Sequence, residues 1–142
     1  MSAFKFDLQK VLNVRNIEED IAQNKFRKAK EEKKEIEKKL ENLKETKKGI
    51  HKYIRNNSSV EKLLQARRFL QRHEEKIENQ QQKLLKKEKE VAEKQKHMLN
   101  KQKKRKVLDK LREKKYKIFH QEKIKDQQKE LDEIAQHEGD ER

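Results

Sequence analysis

Leu63, Leu70, Ile77, Leu84, Val91 and Met98 recur every seven residues, and the positions between them are almost all charged or amide side chains. An apolar residue at every seventh position stays on one helix face only when the helix winds around a partner, so the stripe predicts a coiled coil. The chain supplies a second stripe upstream. Leu8, Leu12, Arg15, Glu19, Ala22, Phe26, Ala29, Lys33, Ile36, Leu40, Leu43, Lys47, Ile50 and Ile54 follow alternating steps of four and three, and ten of these fourteen are apolar. The two stripes together predict an all-α protein, a long antiparallel two-helix coiled-coil hairpin with a longer second helix overhanging the first.

Local signals set the boundaries. Asp7 is placed to cap the first helix, with Phe6 and Val11 spaced for a hydrophobic staple. The pattern ends at Ile54, where Asn56-Asn57-Ser58-Ser59 gathers four residues that favour turns. Ser58-Ser59-Val60-Glu61 then reads as a capping box that opens a second helix. The expected organisation is a single coiled-coil domain over 1–142: helix one at 8–55, turn at 56–59, helix two at 60–135, and a frayed acidic tail at 136–142. Gly49 costs the first helix up to about 1 kcal/mol, too little to end it between seam residues.

A turn centred between Asn56 and Asn57 makes the helices antiparallel neighbours and sets a register. It places Leu63 against Ile50, Leu70 against Leu43, Ile77 against Ile36, Leu84 against Ala29 and Val91 against Ala22, so alternate layers are apolar on both sides. The layers between are mixed, with Ala66 near Lys47, His73 near Leu40, Gln80 near Lys33, Lys87 near Phe26 and Lys94 near Glu19. Leu8 falls opposite Arg105, so everything after about Lys106 is expected to overhang. The stripe shifts phase after Met98, because Leu111 follows it by thirteen residues rather than fourteen. An uncovered amphipathic arm implies a partner.

Composition supports helices over a layered core. With 30% hydrophobic and 48% charged residues, no proline and only two glycines, the 142-residue chain has too little apolar material for a globular interior. Half-apolar layers make the expected hairpin marginal when isolated. No cysteine is present, which removes disulfides, thiolate metal sites and a cysteine nucleophile and suits a cytosolic protein. Even five apolar residues never run together, so neither a signal peptide nor a membrane span is expected.

The net charge of +14 is uneven. From Lys94 to Lys125 fourteen Lys and Arg meet three acids, a local excess of +11, whereas Glu130 to Glu141 carries six acids and no Lys or Arg. An acidic protein surface, nucleic acid and anionic lipid all suit such a patch, and so does a plain solvated helix face with ion pairs. Nucleic-acid binding calls for aromatics interleaved with basic residues, and only Tyr116 and Phe119 qualify. Catalytic constellations are missing. His51, His73, His97, His120 and His137 are separated by 17 residues or more, so no pair has metal-ligand spacing on one helix turn and no cofactor site is expected. No glycine-rich phosphate loop exists, and exposed carboxylates have nothing to raise their pKa into a general acid.

Three stretches, in order, resemble the FliJ family of soluble components of the bacterial flagellar type III export apparatus. Phe4-Lys5-Phe6-Asp7-Leu8-Gln9-Lys10-Val11-Leu12, with Arg15 and Glu18, is similar to the family's opening F-x-F-x-L-x-x-V-L pattern. Arg68 to Gln80 resembles its F-[IL]-x-x-L-x-x-x-I-x-x-Q stretch, and Leu111 to Tyr116 followed by Lys129 to Ala135 resembles its closing L-x-E-[KR]-K and L-D-E. His73 departs from the pattern, which has an apolar residue there. The resemblance implies a non-enzymatic hairpin similar to the central stalk of rotary ATPases, cytoplasmic and held at the inner face of the cell membrane through protein partners. It implies that the paired helix ends enter the hexameric export ATPase; Phe4, Phe6, Lys101, Arg105, Lys106, Arg112, Lys115, Tyr116 and Phe119 are the expected contacts. The part of helix two near the turn, with Phe69, His73, Lys76 and Gln80, is then expected to meet the cytoplasmic domain of the membrane export gate, and export chaperones are further partners. A stalk of a virulence type III secretion system has the same architecture, and a basic coiled coil that binds nucleic acid is the reading from another class.

Overall fold

The computed structural model describes residues 3–140, and the fold is an all-α, antiparallel two-helix coiled-coil hairpin. Helix α1 spans Gln9–Asn56 and helix α2 spans Val60–Asp140. The absence of proline leaves no obligatory break. Neither glycine adopts a positive φ, so both are carried as ordinary helical residues. Helix–helix contacts gather into two units, each considered on its own. The turn unit is Ile21–Leu99, and the terminal unit combines residues up to Asp20 with those from Asn100 onward.

The helix ends differ in detail from the expected caps. The Phe6 carbonyl accepts the Gln9 N–H at 3.0 Å, and α1 begins there, with no capping bond from Asp7 among the described residues. Val11 stays 41% exposed while Leu12, one residue on, is buried in the seam, so the seam rather than a staple sets the entry. At α2 the Ser59 carbonyl accepts the Leu63 N–H at 3.0 Å, which makes Ser59 the N-cap. The third helical residue is then Lys62, so the box between Ser58 and Glu61 does not form. Glu61 instead sits in the first turn, where a carboxylate opposes the helix dipole favourably. Helix α2 continues to Asp140 instead of stopping at Ala135, so residues 136–140 are helix and not a frayed tail. The rest of that expected tail, Glu141 and Arg142, lies outside the described residues.

In the turn unit the predicted seam is the covered face. Ala22, Ala29, Leu40 and Ile50 of α1 and Ala66 and Ile77 of α2 are buried, and Ile36, Leu43, Leu63, Leu70, Leu84, Val91 and Met98 are half-buried. The register, however, is offset. His73 meets the backbone of Leu43 rather than Leu40, and Lys87 reaches Glu32 rather than Phe26. The cause is the turn. With α1 ending at Asn56 and α2 starting at Val60, the loop is centred on Ser58, which advances the pairing by about three residues. The offset brings Ala66 beside Ile50 across a shared groove and is consistent with the burial of both Ile77 and Leu40.

The terminal unit is offset in the same direction by more than three residues and extends further than expected. Arg105 pairs with Glu19 rather than lying opposite Leu8, and Arg112 Nε donates to Gln9 Oε1 at 3.0 Å. Lys101, Arg105 and Leu108 continue the four-three alternation as half-buried residues, and the phase change falls at Leu111, three residues after Leu108. The N-terminal segment, non-helical at 3–6, lays Phe4 against Tyr116 and Phe119. The uncovered arm therefore begins after Phe119, not after Lys106, and every residue from His120 to Gly139 is exposed. The paired segment gains 13 residues, partly because the offset brings Arg112 to Gln9 and partly because the non-helical segment lays Phe4 on Tyr116 and Phe119.

A methyl group added at Gly49 would meet nothing within 4 Å. Gly49→Ala is therefore expected to stabilise the hairpin by up to about 1 kcal/mol through helix propensity. Thermal denaturation followed by circular dichroism should show the melting temperature rise by about 3 °C.

Candidate partner-binding surfaces

Two surfaces combine exposed apolar side chains with a built support. The first belongs to the turn unit. Phe69 is 50% exposed and precedes the seam residue Leu70, so its ring projects sideways from α2. It stacks on the His73 imidazole with ring centroids 5.7 Å apart. His73 is itself buried, and its Nε2–H donates to the Leu43 carbonyl at 3.0 Å. That bond explains how a polar ring occupies a seam position. The imidazole satisfies its donor on the facing backbone and at the same time props Phe69 outward.

Across a shallow groove, Ala66 and Phe69 face Gly49, Ile50 and Tyr53 of α1. Tyr53 is 44% exposed and precedes the seam residue Ile54 as Phe69 precedes Leu70. Sequence reasoning missed Tyr53 and the open floor at Gly49, although the shared position of the two aromatics just before the seam was a usable signal. Of the four residues expected here, Phe69 and Lys76 are presented outward, Gln80 is a half-buried seam residue, and His73 offers a partner only the orientation of Phe69.

The second surface belongs to the terminal unit. Phe4 packs edge-on against Tyr116, with centroids 5.3 Å apart, lies 5.5 Å from Phe119, and carries the Arg112 guanidinium 5.7 Å above its ring. Phe6 is buried and therefore anchors the segment. The expected basic contacts divide into two kinds. Arg105 is tied to Glu19, which is 5% exposed, and donates through Nη1 to Asp109 at 2.6 Å. These partners, Glu19 first, hold the guanidinium pKa above its already high value. Lys101 reaches Glu18 at 3.4 Å. Lys106 and Lys115, by contrast, are exposed and make no ion pair among the described residues. The structure thus brings Phe4, Arg112, Tyr116 and Phe119 together, commits Arg105 and Lys101 to the seam, and leaves Lys106 and Lys115 exposed.

Among the described residues no group of three His, Cys, Asp or Glu is arranged to hold a metal, and no helix is long and apolar enough to cross a membrane. The family model described as "Flagellar FliJ protein" matches residues 4–140. No curated relative matches the sequence. Among solved structures, a protein described as a YscO homolog from Chlamydia trachomatis shares the fold, with a TM-score of 0.66, 16% sequence identity and 94% of each chain covered.

Ion pairs within each helix and across the seam set a pH dependence. The Arg15 guanidinium and then Lys101 lower the pKa of Glu18, and Lys87 does the same for Glu32. Glu32 and then Glu90 raise the pKa of Lys87. A carboxylate with a lowered folded-state pKa stabilises above its unfolded pKa and loses that contribution as pH falls through the folded value; a lysine with a raised pKa loses its contribution only as pH rises through the folded value. The melting temperature should therefore be flat near neutrality and fall below about pH 5. Combining Glu18→Gln with Glu32→Gln should lower the neutral plateau and flatten the acid limb, measured by thermal melts from pH 3 to pH 8; an unchanged acid limb would count against these pairs.

Proposed function

The chain belongs to the FliJ family of flagellar proteins, and from that premise we propose that it is a non-enzymatic, cytoplasmic stalk of the flagellar type III export apparatus. The observation that carries the reading is the family match over residues 4–140, together with a basic arm that keeps exposed lysines beside an aromatic cluster. In this reading the terminal unit engages the hexameric export ATPase. Phe4, Arg112, Tyr116 and Phe119 form a shaped apolar and cationic patch that buried Phe6 anchors from beneath, and Lys106 and Lys115 steer it toward acidic protein surface. Arg105 and Lys101 act indirectly by holding the helices in place. The turn unit engages the cytoplasmic domain of the export gate through Phe69 and Lys76, and export chaperones are the remaining partners. Membrane association is peripheral and runs through these proteins.

A stalk in a virulence type III secretion system is the second reading, favoured by the fold shared with a protein described as a YscO homolog. The two share architecture and differ in the ATPase that is captured.

Because Arg105 is a structural ion-pair partner, the informative substitutions are on the free lysines. Lys106→Glu with Lys115→Glu should leave the melt unchanged and abolish co-purification with the export ATPase at moderate salt; undiminished binding would sink the ATPase assignment. At the turn unit, Ile77→Ala is expected to cost about 2 kcal/mol or more of stability as a buried seam residue. Phe69→Ala should cost far less and instead weaken binding to the gate domain, read by titration calorimetry; equal destabilisation by the two would remove Phe69 from the partner surface.

A further inference from the structure

The seam pattern of the turn unit is compatible with two registers, of which one is observed. In the one observed, His73 donates to the Leu43 carbonyl, Lys87 bridges Glu32 and Glu90, and Ala66 shares a groove with Ile50. About three residues away lies another, in which Leu63 meets Ile50, Leu70 meets Leu43, Ile77 meets Ile36, Leu84 meets Ala29 and Val91 meets Ala22. A slip of one residue would turn Lys and Glu into the interface. A slip of half a heptad does not, because the steps of three and four alternate and the same residues remain on the seam. The covered positions are thus compatible with either pairing. What distinguishes them is a trade of cross-helix polar bonds in the observed register for layers that are apolar on both sides in the other.

We propose that the turn unit is a register switch, in which α1 and α2 slide past one another by half a heptad, about 5 Å, between these two pairings. The latch of the observed state is His73, the buried polar residue of this seam, with Lys87–Glu32 as a second catch. The loop accommodates the slide by recentring, since Asn56, Asn57, Ser58 and Ser59 all tolerate turn and cap geometry. The groove reads the state. Its walls belong to different helices, so sliding moves Phe69 relative to Tyr53, and a partner that grips both rings binds one register and shifts the population toward it. This inference concerns the isolated chain and stands apart from the identity of any partner.

The absence of native cysteine makes the test direct. Ile50→Cys with Ala66→Cys reports the observed register, and Ile50→Cys with Leu63→Cys reports the other, since a disulfide needs its Cα atoms within about 7 Å. Oxidation is followed by gel mobility. The first pair should close fully, and the second should also close, more slowly by up to about tenfold for each cross-helix polar bond that the slide breaks. Adding His73→Leu should speed closure of the second pair by up to about tenfold. A second pair that stays reduced in both backgrounds, while the first closes, would overturn the switch. Spin labels at the exposed positions Lys39→Cys and Glu88→Cys give an independent measurement without perturbing the seam. Pulsed electron–electron distances should show a second, longer population that grows with His73→Leu, and a single unchanged population would overturn the proposal as well.

Discussion

A coiled-coil seam that is only partly apolar holds its register by satisfying its polar members across the interface. Glu19 and His73 are both buried, and each has a specific partner on the other helix, Arg105 for the first and the Leu43 carbonyl for the second. Lys87 and Lys101 repeat the device at the seam margin, reaching Glu32 and Glu18. Left unpaired, buried Glu19 and His73 would each carry a desolvation penalty of about 1–3 kcal/mol, comparable with what a buried leucine contributes. The polar bonds therefore decide where the helices meet, while the apolar residues decide only that they meet.

This division explains what was legible in the sequence. The spacing of Leu63 to Met98 and of Leu8 to Ile54 identified two helices, their antiparallel pairing and their covered faces, and thirteen of the fourteen α1 seam positions are buried or half-buried, Leu8 being the exception. The register was not legible. Apolar matching favoured Leu63 on Ile50, but the polar contacts of His73 and Lys87 and a loop centred on Ser58 outweigh it. The N-terminal segment was misjudged for a related reason. Its two phenylalanines act outside any helical repeat, so periodicity did not reveal that Phe4 reaches Tyr116 and Phe119.

The proposed partner surfaces lie beside the seam rather than on it. Phe69 and Tyr53 each precede a seam residue and point aside, and their groove exists because Gly49 and Ala66 leave its floor low. In the terminal unit, the pairing of Arg105 with Glu19 and Asp109 removes it from the list of free cations and leaves Lys106 and Lys115. Sequence placed all three in one basic patch, because charge counting does not separate a cation that holds the fold from one that is available to a partner. In the proposed reading the excess of positive charge acts as a steering field, with fewer cations free for a partner than the patch suggests.

The most direct test of this account is a double-mutant cycle on Glu19 and Arg105, with Glu19→Ala, Arg105→Ala and the double variant measured by chemical denaturation. If cross-helix polar bonds set the register, the coupling energy should exceed about 1 kcal/mol, the usual ceiling for exposed ion pairs. The exposed pair Glu113–Lys117 on α2 is the internal reference. A Glu19–Arg105 coupling no larger than that reference would contradict the account and return the register to apolar packing alone.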